Sequence, residues 1–169
     1  MTIPSFYIVF MVFSLHDNSK MSQQKKIIVI NGPNLNLLGQ REPNHYGCQS
    51  LQELIENLHS TAKNSGILFE AIQSNAEHEL ISSIQQTDAN FILLNAGAYT
   101  HTSIAIRDAL LAIEKPFIEI HVSNIYAREK FRQSSMFADI AQGVITGFGT
   151  QSYHLGIQAA IQYLSTSKQ

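Results

Sequence analysis

The sequence predicts an α/β fold: a five-stranded parallel sheet in the order 2-1-3-4-5 with helices on both faces. Three observations predict it. From Lys26 onward, short β-branched apolar runs alternate with stretches of helical periodicity. The first run, Ile27-Ile28-Val29-Ile30, is apolar without alternation, as a strand buried on both faces is. The side chains capable of chemistry follow strands one, three and four instead of scattering to both ends. Open α/β sheets build their sites in that way, at the carboxyl ends of the strands.

The elements follow in order. The first strand runs into Asn31-Gly32-Pro33-Asn34, four turn-formers in a row. A loop carrying Arg41, Glu42, Pro43, Asn44, His45, Tyr46 and Gly47 comes next. Ser50 and Glu53 form an S-x-x-E capping box ahead of Leu51, Leu54, Ile55, Leu58 and Ala62, a helix with one apolar stripe that Gly66 closes. Ile67 to Ile72 reads as the second strand and Glu77 to Gln86 as the second helix, with Leu80, Ile81 and Ile84 on one face. Phe91 to Leu94 is the third strand, and His101 to Ile113 the third helix. Pro116 precedes the fourth strand, Phe117 to His121. Gly143 to Thr146 is a short fifth strand, and Gln151 to Leu164 the last helix. Right-handed crossovers place such helices on both faces and open a crevice between strands one and three.

Composition narrows the function. The chain has 169 residues, enough for one domain with its own core. Its net charge is −2 with no basic block, so nothing points to nucleic acid. The single cysteine, Cys48, rules out an intrachain disulfide and fits a reducing, cytoplasmic setting. No apolar run reaches the roughly 18 residues of a membrane span. Phe6 to Leu15 is apolar, but no Lys or Arg precedes it and no small-residue cleavage pattern follows. Residues 1–22 read as a disordered extension or a misassigned start, and residues 23–169 as one domain.

The candidate site residues differ in what each says alone. Asn31 and Asn95 fit strand-end turns as well as a site. His101 fits a helix start, Arg41 and Tyr46 fit a solvated surface, and Asp108 fits a helix charge paired with Arg107 or an adjacent subunit. Glu119 and His121 say more. They alternate on one strand and so point to the same side of the sheet. A carboxylate inside a buried strand is costly without a partner, which favours a functional pair. Other chemistries find no support. The histidines lack metal-ligand spacing. No G-x-G-x-x-G follows the first strand, and there is neither a phosphate loop nor a G-x-S-x-G elbow. Lys115 and Lys130 lie outside the apolar strands, which argues against a Schiff base.

Three blocks then resemble a known family. INGPNLNLLGQREPNHYG, LNAGAYTHTSIAIRDAL and IEIHVSNIYAREKFR are similar to the motifs of type II 3-dehydroquinate dehydratases, in the same order and spacing, within about Lys26 to Leu164. The resemblance implies a flavodoxin-like fold and a lyase of the shikimate pathway, on the route to chorismate and the aromatic amino acids. It would convert 3-dehydroquinate to 3-dehydroshikimate and water by anti elimination through an enolate. It also implies no metal or organic cofactor, and a homododecamer of four trimers.

Residue by residue, Tyr46 matches the base that takes the proton from carbon 2, and Arg41 the arginine that readies it. Asn34 matches the residue that helps stabilise the enolate through a water. His121 matches the acid for the leaving hydroxyl, with Glu119 orienting it. Asn95, His101, Asp108 and Arg132 match substrate-contacting positions, Val122 and Ser123 the carboxylate-binding turn, and Arg128 an arginine of the lid region. Gln133-Ser134 stands where histidines are common, and Phe137 where leucine is. These departures flank the site and bear on fine tuning, not on the reaction.

The chemistry suits such a set. A free tyrosine, with a pKa of about 10, is a poor base at neutral pH. Guanidiniums such as Arg41 and Arg128 favour the phenolate. Closing the Arg41–Tyr46 loop would bring base and substrate together and exclude water. Histidine can give a proton to a departing hydroxide near neutral pH. The other reading of the fold is a non-catalytic α/β module that binds a small ligand. The coexistence of Tyr46, His121 and the Val122-Ser123 turn separates the two.

Overall fold

The computed structural model describes residues 24–39 and 49–166. Residues 1–22, Arg41, Tyr46 and Cys48 lie outside the described residues. The described strands are β1 (Lys26–Asn31), β2 (Leu68–Gln73), β3 (Phe91–Asn95), β4 (Phe117–His121) and β5 (Gly143–Thr146). They form one parallel sheet in the order β2-β1-β3-β4-β5, as the sequence predicts. The helices are α1 (Leu51–Asn64), α2 (Glu77–Gln86), α3 (Ile104–Ile113) and α4 (Gln151–Thr166).

The unbroken apolar run of β1 is explained by what covers each face. Ile27 and Val29 join Leu54 and Leu58 of α1 and Tyr153, Ile157 and Leu164 of α4. Ile28 and Ile30 join Leu80 and Ile84 of α2 and Ile106 and Leu110 of α3. Period-two alternation sends neighbours to opposite cores, and both cores are built of apolar side chains. Each such side chain, fully buried, stabilises the fold by about 1.5–3 kcal/mol before the entropic cost of ordering.

The capping box before α1 forms as read: Ser50 Oγ accepts from Glu53 N at 3.2 Å, and Glu53 Oε2 accepts from Ser50 N at 2.8 Å. The third helix starts later than its periodicity suggests. Gly97–His101 is a 3-10 turn, and α3 begins at Ile104 because Ser103 Oγ caps the Ile106 amide at 2.9 Å. His101 therefore ends a turn at the rim of the sheet and is not part of α3. The passage from β4 to β5 carries two 3-10 turns, Ile125–Ala127 and Lys130–Arg132, and no α-helix. Phe137, fully buried in the core on the α2/α3 side, anchors it.

Candidate active site

The site begins where β1 and β3 end. Their register sets Asn31 beside Asn95, both buried. The two following turns pass in near contact: a Cβ on Gly32 would lie 2.3 Å from the Ala96 carbonyl oxygen. Gly32 N donates to the Asn95 carbonyl at 2.7 Å, which locks the approach. Below this junction Tyr153 of α4 donates to Asn31 Oδ1 at 2.6 Å and accepts from Asn95 Nδ2 at 2.8 Å. Burial pushes the Tyr153 phenol well above its usual value, against the smaller pull of the Asn95 bond, so it stays a hydroxyl. Asn34 takes a left-handed conformation, φ 68°, and its amide donates to Asn75 Oδ1 at 2.9 Å.

Above this floor lies a crevice of about 310 Å³. Asn34, Asn95, His101, His121, Val122, Ser123, Arg128 and Arg132 all line it. Glu119 sits behind His121 with no solvent exposure. Its Oε1 lies 2.7 Å from His121 Nε2, which leaves Nδ1 as the ring nitrogen not engaged by Glu119. His101 stacks on His121, ring centroids 6.4 Å apart and planes 16° from parallel. Its Nδ1 meets the Ser134 carbonyl at 2.7 Å. A carbonyl only accepts, so the hydrogen sits on Nδ1 and Nε2 is left for a ligand.

Arg128 and Arg132 make the lining cationic. Arg128 reaches Ser123 Oγ at 3.5 Å, and Glu129 pairs with Arg128 at 3.4 Å and Arg132 at 3.2 Å. A bond from its own backbone amide, then the two guanidiniums, keeps the Glu129 carboxyl below the usual range. The turn after β4 is strapped down: Gly149 N donates to Val122 O at 2.9 Å, and Thr146 Oγ1 donates to Ser123 O at 2.9 Å. Among the described residues no group of three His, Cys, Asp or Glu side chains is placed to hold a metal ion. A histidine on a buried carboxylate, lining a small crevice together with two arginines, can move a proton on an anionic ligand.

The family model "Dehydroquinase class II" matches residues 25–161. The chain belongs to the class II dehydroquinase family. It is 55% identical over 145 residues to the 3-dehydroquinate dehydratase of Shewanella frigidimarina (strain NCIMB 400), covering 86% of this chain and 98% of that one. The 3-dehydroquinate dehydratase of Shewanella denitrificans is likewise 55% identical, over 86% of this chain and 96% of that one. Among solved structures, the type II dehydroquinase from Butyrivibrio crossotus DSM 2876 superposes with a TM-score of 0.78 at 41% identity, covering 85% and 99% of the two chains. That from Propionibacterium acnes gives 0.78 at 37% identity, covering 82% and 97%.

Within this dehydroquinase fold, most sequence-predicted site residues converge. Asn34, Asn95, His101, His121, Val122, Ser123, Arg128 and Arg132 line one crevice, with Glu119 directly behind. Tyr46 and Arg41 fall outside the described residues. Asp108 is not brought to this crevice; it stands exposed on α3. Neighbouring Arg107 pairs with Asp139, at 2.5 and 2.8 Å, and donates to the Met136 carbonyl at 2.6 Å. The departure at Ser134 is explained: it meets His101 through its backbone carbonyl, which a residue of any type supplies. Lys115 donates to the carbonyls of Thr87 and Ala89 near the amino end of β4, away from the site.

Two residues escaped the sequence reading. Tyr153 sits on an apolar helix face and passes for a core aromatic; only its polar tip hints at a buried partner. Ser135, whose hydroxyl reaches both Glu119 oxygens at 2.9 Å, stands in an irregular stretch where no periodicity singles it out.

Proposed function

We propose that this chain dehydrates 3-dehydroquinate to 3-dehydroshikimate by anti elimination through an enolate, with its residues dividing the work as follows. Tyr46, readied by Arg41 and Arg128, takes the proton from carbon 2. Asn34 stabilises the enolate through a water. His121, oriented by Glu119, protonates the departing hydroxyl through Nδ1. The Val122-Ser123 turn receives the carboxylate, while Asn95, His101 and Arg132 contact the substrate. The observation that carries this reading is the Glu119–His121 pair, 2.7 Å apart and buried at the wall of a cationic crevice. It provides an oriented proton donor where an anionic substrate would bind.

Asp108 completes the site of a neighbouring subunit in this reading, which accounts for its distance from the crevice of its own chain. The assembly is a homododecamer of four trimers, working in the cytoplasm on the route to chorismate. No helix among the described residues is long and apolar enough to cross a membrane. Residues 23–169 act as one catalytic unit.

The test is spectrophotometric. The product is a conjugated enone, so absorbance should grow when the protein meets 3-dehydroquinate. Tyr46→Phe should lower turnover by about 10²–10⁴-fold, the usual contribution of a general base, with folding unchanged. Absence of enone with the folded wild-type protein would leave the ligand-binding module as the reading.

A further inference from the structure

Glu119 has no solvent to stabilise its charge, so its partners within the chain decide what it can do. His121 is one partner. The other is the Ser135 hydroxyl, 2.9 Å from Oε1 and 2.9 Å from Oε2. Ser135 Oγ also accepts from the amides of Phe137 and Ala138, each at 3.1 Å. With two N–H groups on the acceptor side of the oxygen, its single hydrogen is committed to Glu119. The hydroxyl cannot turn to receive a proton from an acid without abandoning both amides. Glu119 is thereby held as an acceptor, and the hydrogen between it and the imidazole belongs to His121 Nε2.

The turn that carries Ser135 is itself anchored. Phe137 is buried in the core, and Met136 N donates to the Thr100 carbonyl at 2.8 Å. Ser134, one residue earlier, holds His101 through its carbonyl. One short segment thus sets the tautomer of both histidines in the crevice.

We propose that Ser135 is a positioning residue for the elimination: its hydroxyl, fixed by two backbone amides, keeps Glu119 an acceptor for the Nε2 hydrogen and so orients His121, whose doubly protonated ring gives its Nδ1 proton to the departing hydroxyl and keeps the one on Nε2. The role rests on the reading of His121 as the acid. Partners behind a catalytic or metal-bound histidine typically matter by about 10–100-fold, and Ser135→Ala should lower kcat by that much with KM within about twofold. Ser135→Thr keeps the hydroxyl and should recover most of kcat. In a Glu119→Gln background, Ser135→Ala should cost little further, because both act through one carboxylate. Should the alanine variant not fold, Ser135→Cys keeps the volume and weakens only the donation, and the same loss is expected.

A second readout needs no turnover. Hydrogen–deuterium exchange at the imidazole C2, followed residue by residue by mass spectrometry against pH, reports the protonation of each histidine. Besides Glu119, the charged or titratable groups around His121 among the described residues are His101, Arg128 and Arg132, and Ser135→Ala leaves them in place. Removing the Ser135 donor concentrates the carboxylate charge on His121, so the exchange midpoint should differ from that of the wild type, upward. If the wild type makes no enone, the reaction reading falls, and this midpoint alone decides whether Ser135 sets His121. Unchanged kcat and midpoint in folded Ser135→Ala, a fully additive loss in the Glu119→Gln background, or Ser135→Thr as slow as the alanine variant would each overturn the proposal.

Discussion

Tyr153→Phe removes one oxygen from beneath the crevice and leaves the ring that fills the core. Tyr153 is fully buried, as is Asn31, and Asn95 is 3% exposed. The phenol donates to Asn31 at 2.6 Å and accepts from Asn95 at 2.8 Å, so phenylalanine strands an acceptor and a donor together. Each stranded buried group costs about 1–3 kcal/mol; the Asn95 amide can turn toward crevice water, so the sum is about 3 kcal/mol. For a domain of this size that lowers Tm by about 6–12 °C. The assay is thermal unfolding of both proteins at one fixed concentration, because Tm depends on concentration wherever subunits associate. With Asn95 as a substrate contact, as proposed above, its turning should also lower kcat/KM, by roughly tenfold. A Tm within 2 °C of wild type together with unchanged kcat/KM would show that the Asn31–Tyr153–Asn95 chain carries neither stability nor site geometry.

Three further outcomes are expected. Gly32→Ala forces a Cβ to within 2.3 Å of the Ala96 carbonyl oxygen, so the turns after β1 and β3 must part; overpacking of this kind costs about 3 kcal/mol, readable in urea unfolding, and a variant as stable as wild type would contradict the contact. Thr100 Oγ1 is buried with no hydrogen-bond partner among the described residues. Thr100→Val should therefore raise stability by about 1 kcal/mol, and a comparable loss would reveal a partner for the hydroxyl. Lys26 pairs with Asp88 at 2.6 Å and with Glu70 at 2.8 Å. The Lys26 bond holds the Asp88 carboxyl below its usual value. Its contribution is thus present above the unfolded carboxyl pKa of about 3.9 and is lost as pH falls through the lower folded value. Asp88 is exposed, so Asp88→Asn should cost well under 1 kcal/mol at pH 7, less in high salt, and nothing near pH 2; an equal loss at both pH values would refute the ionic origin.

The sequence alone determined the sheet and its order. Unbroken apolar strands, amphipathic helices and the Ser50–Glu53 cap are local signals, and crossover handedness turns them into a topology. It also determined that Glu119 and His121 stand side by side, because strand period two puts them on one face whatever the rest of the fold does. Tertiary structure decided the rest. That His101 ends a 3-10 turn and stacks on His121 depends on where Ser103 starts α3 and on the Ser134 carbonyl, 33 residues away from His101. That Tyr153 ties Asn31 to Asn95 depends on α4 crossing beneath two strand ends. Ser135 meets Glu119 because Phe137 pins the segment between β4 and β5 into the core. Such contacts join residues from distant parts of the chain by the direction of single hydrogen bonds. Periodicity and propensity are summed over neighbours along the chain, and they carry no record of that direction.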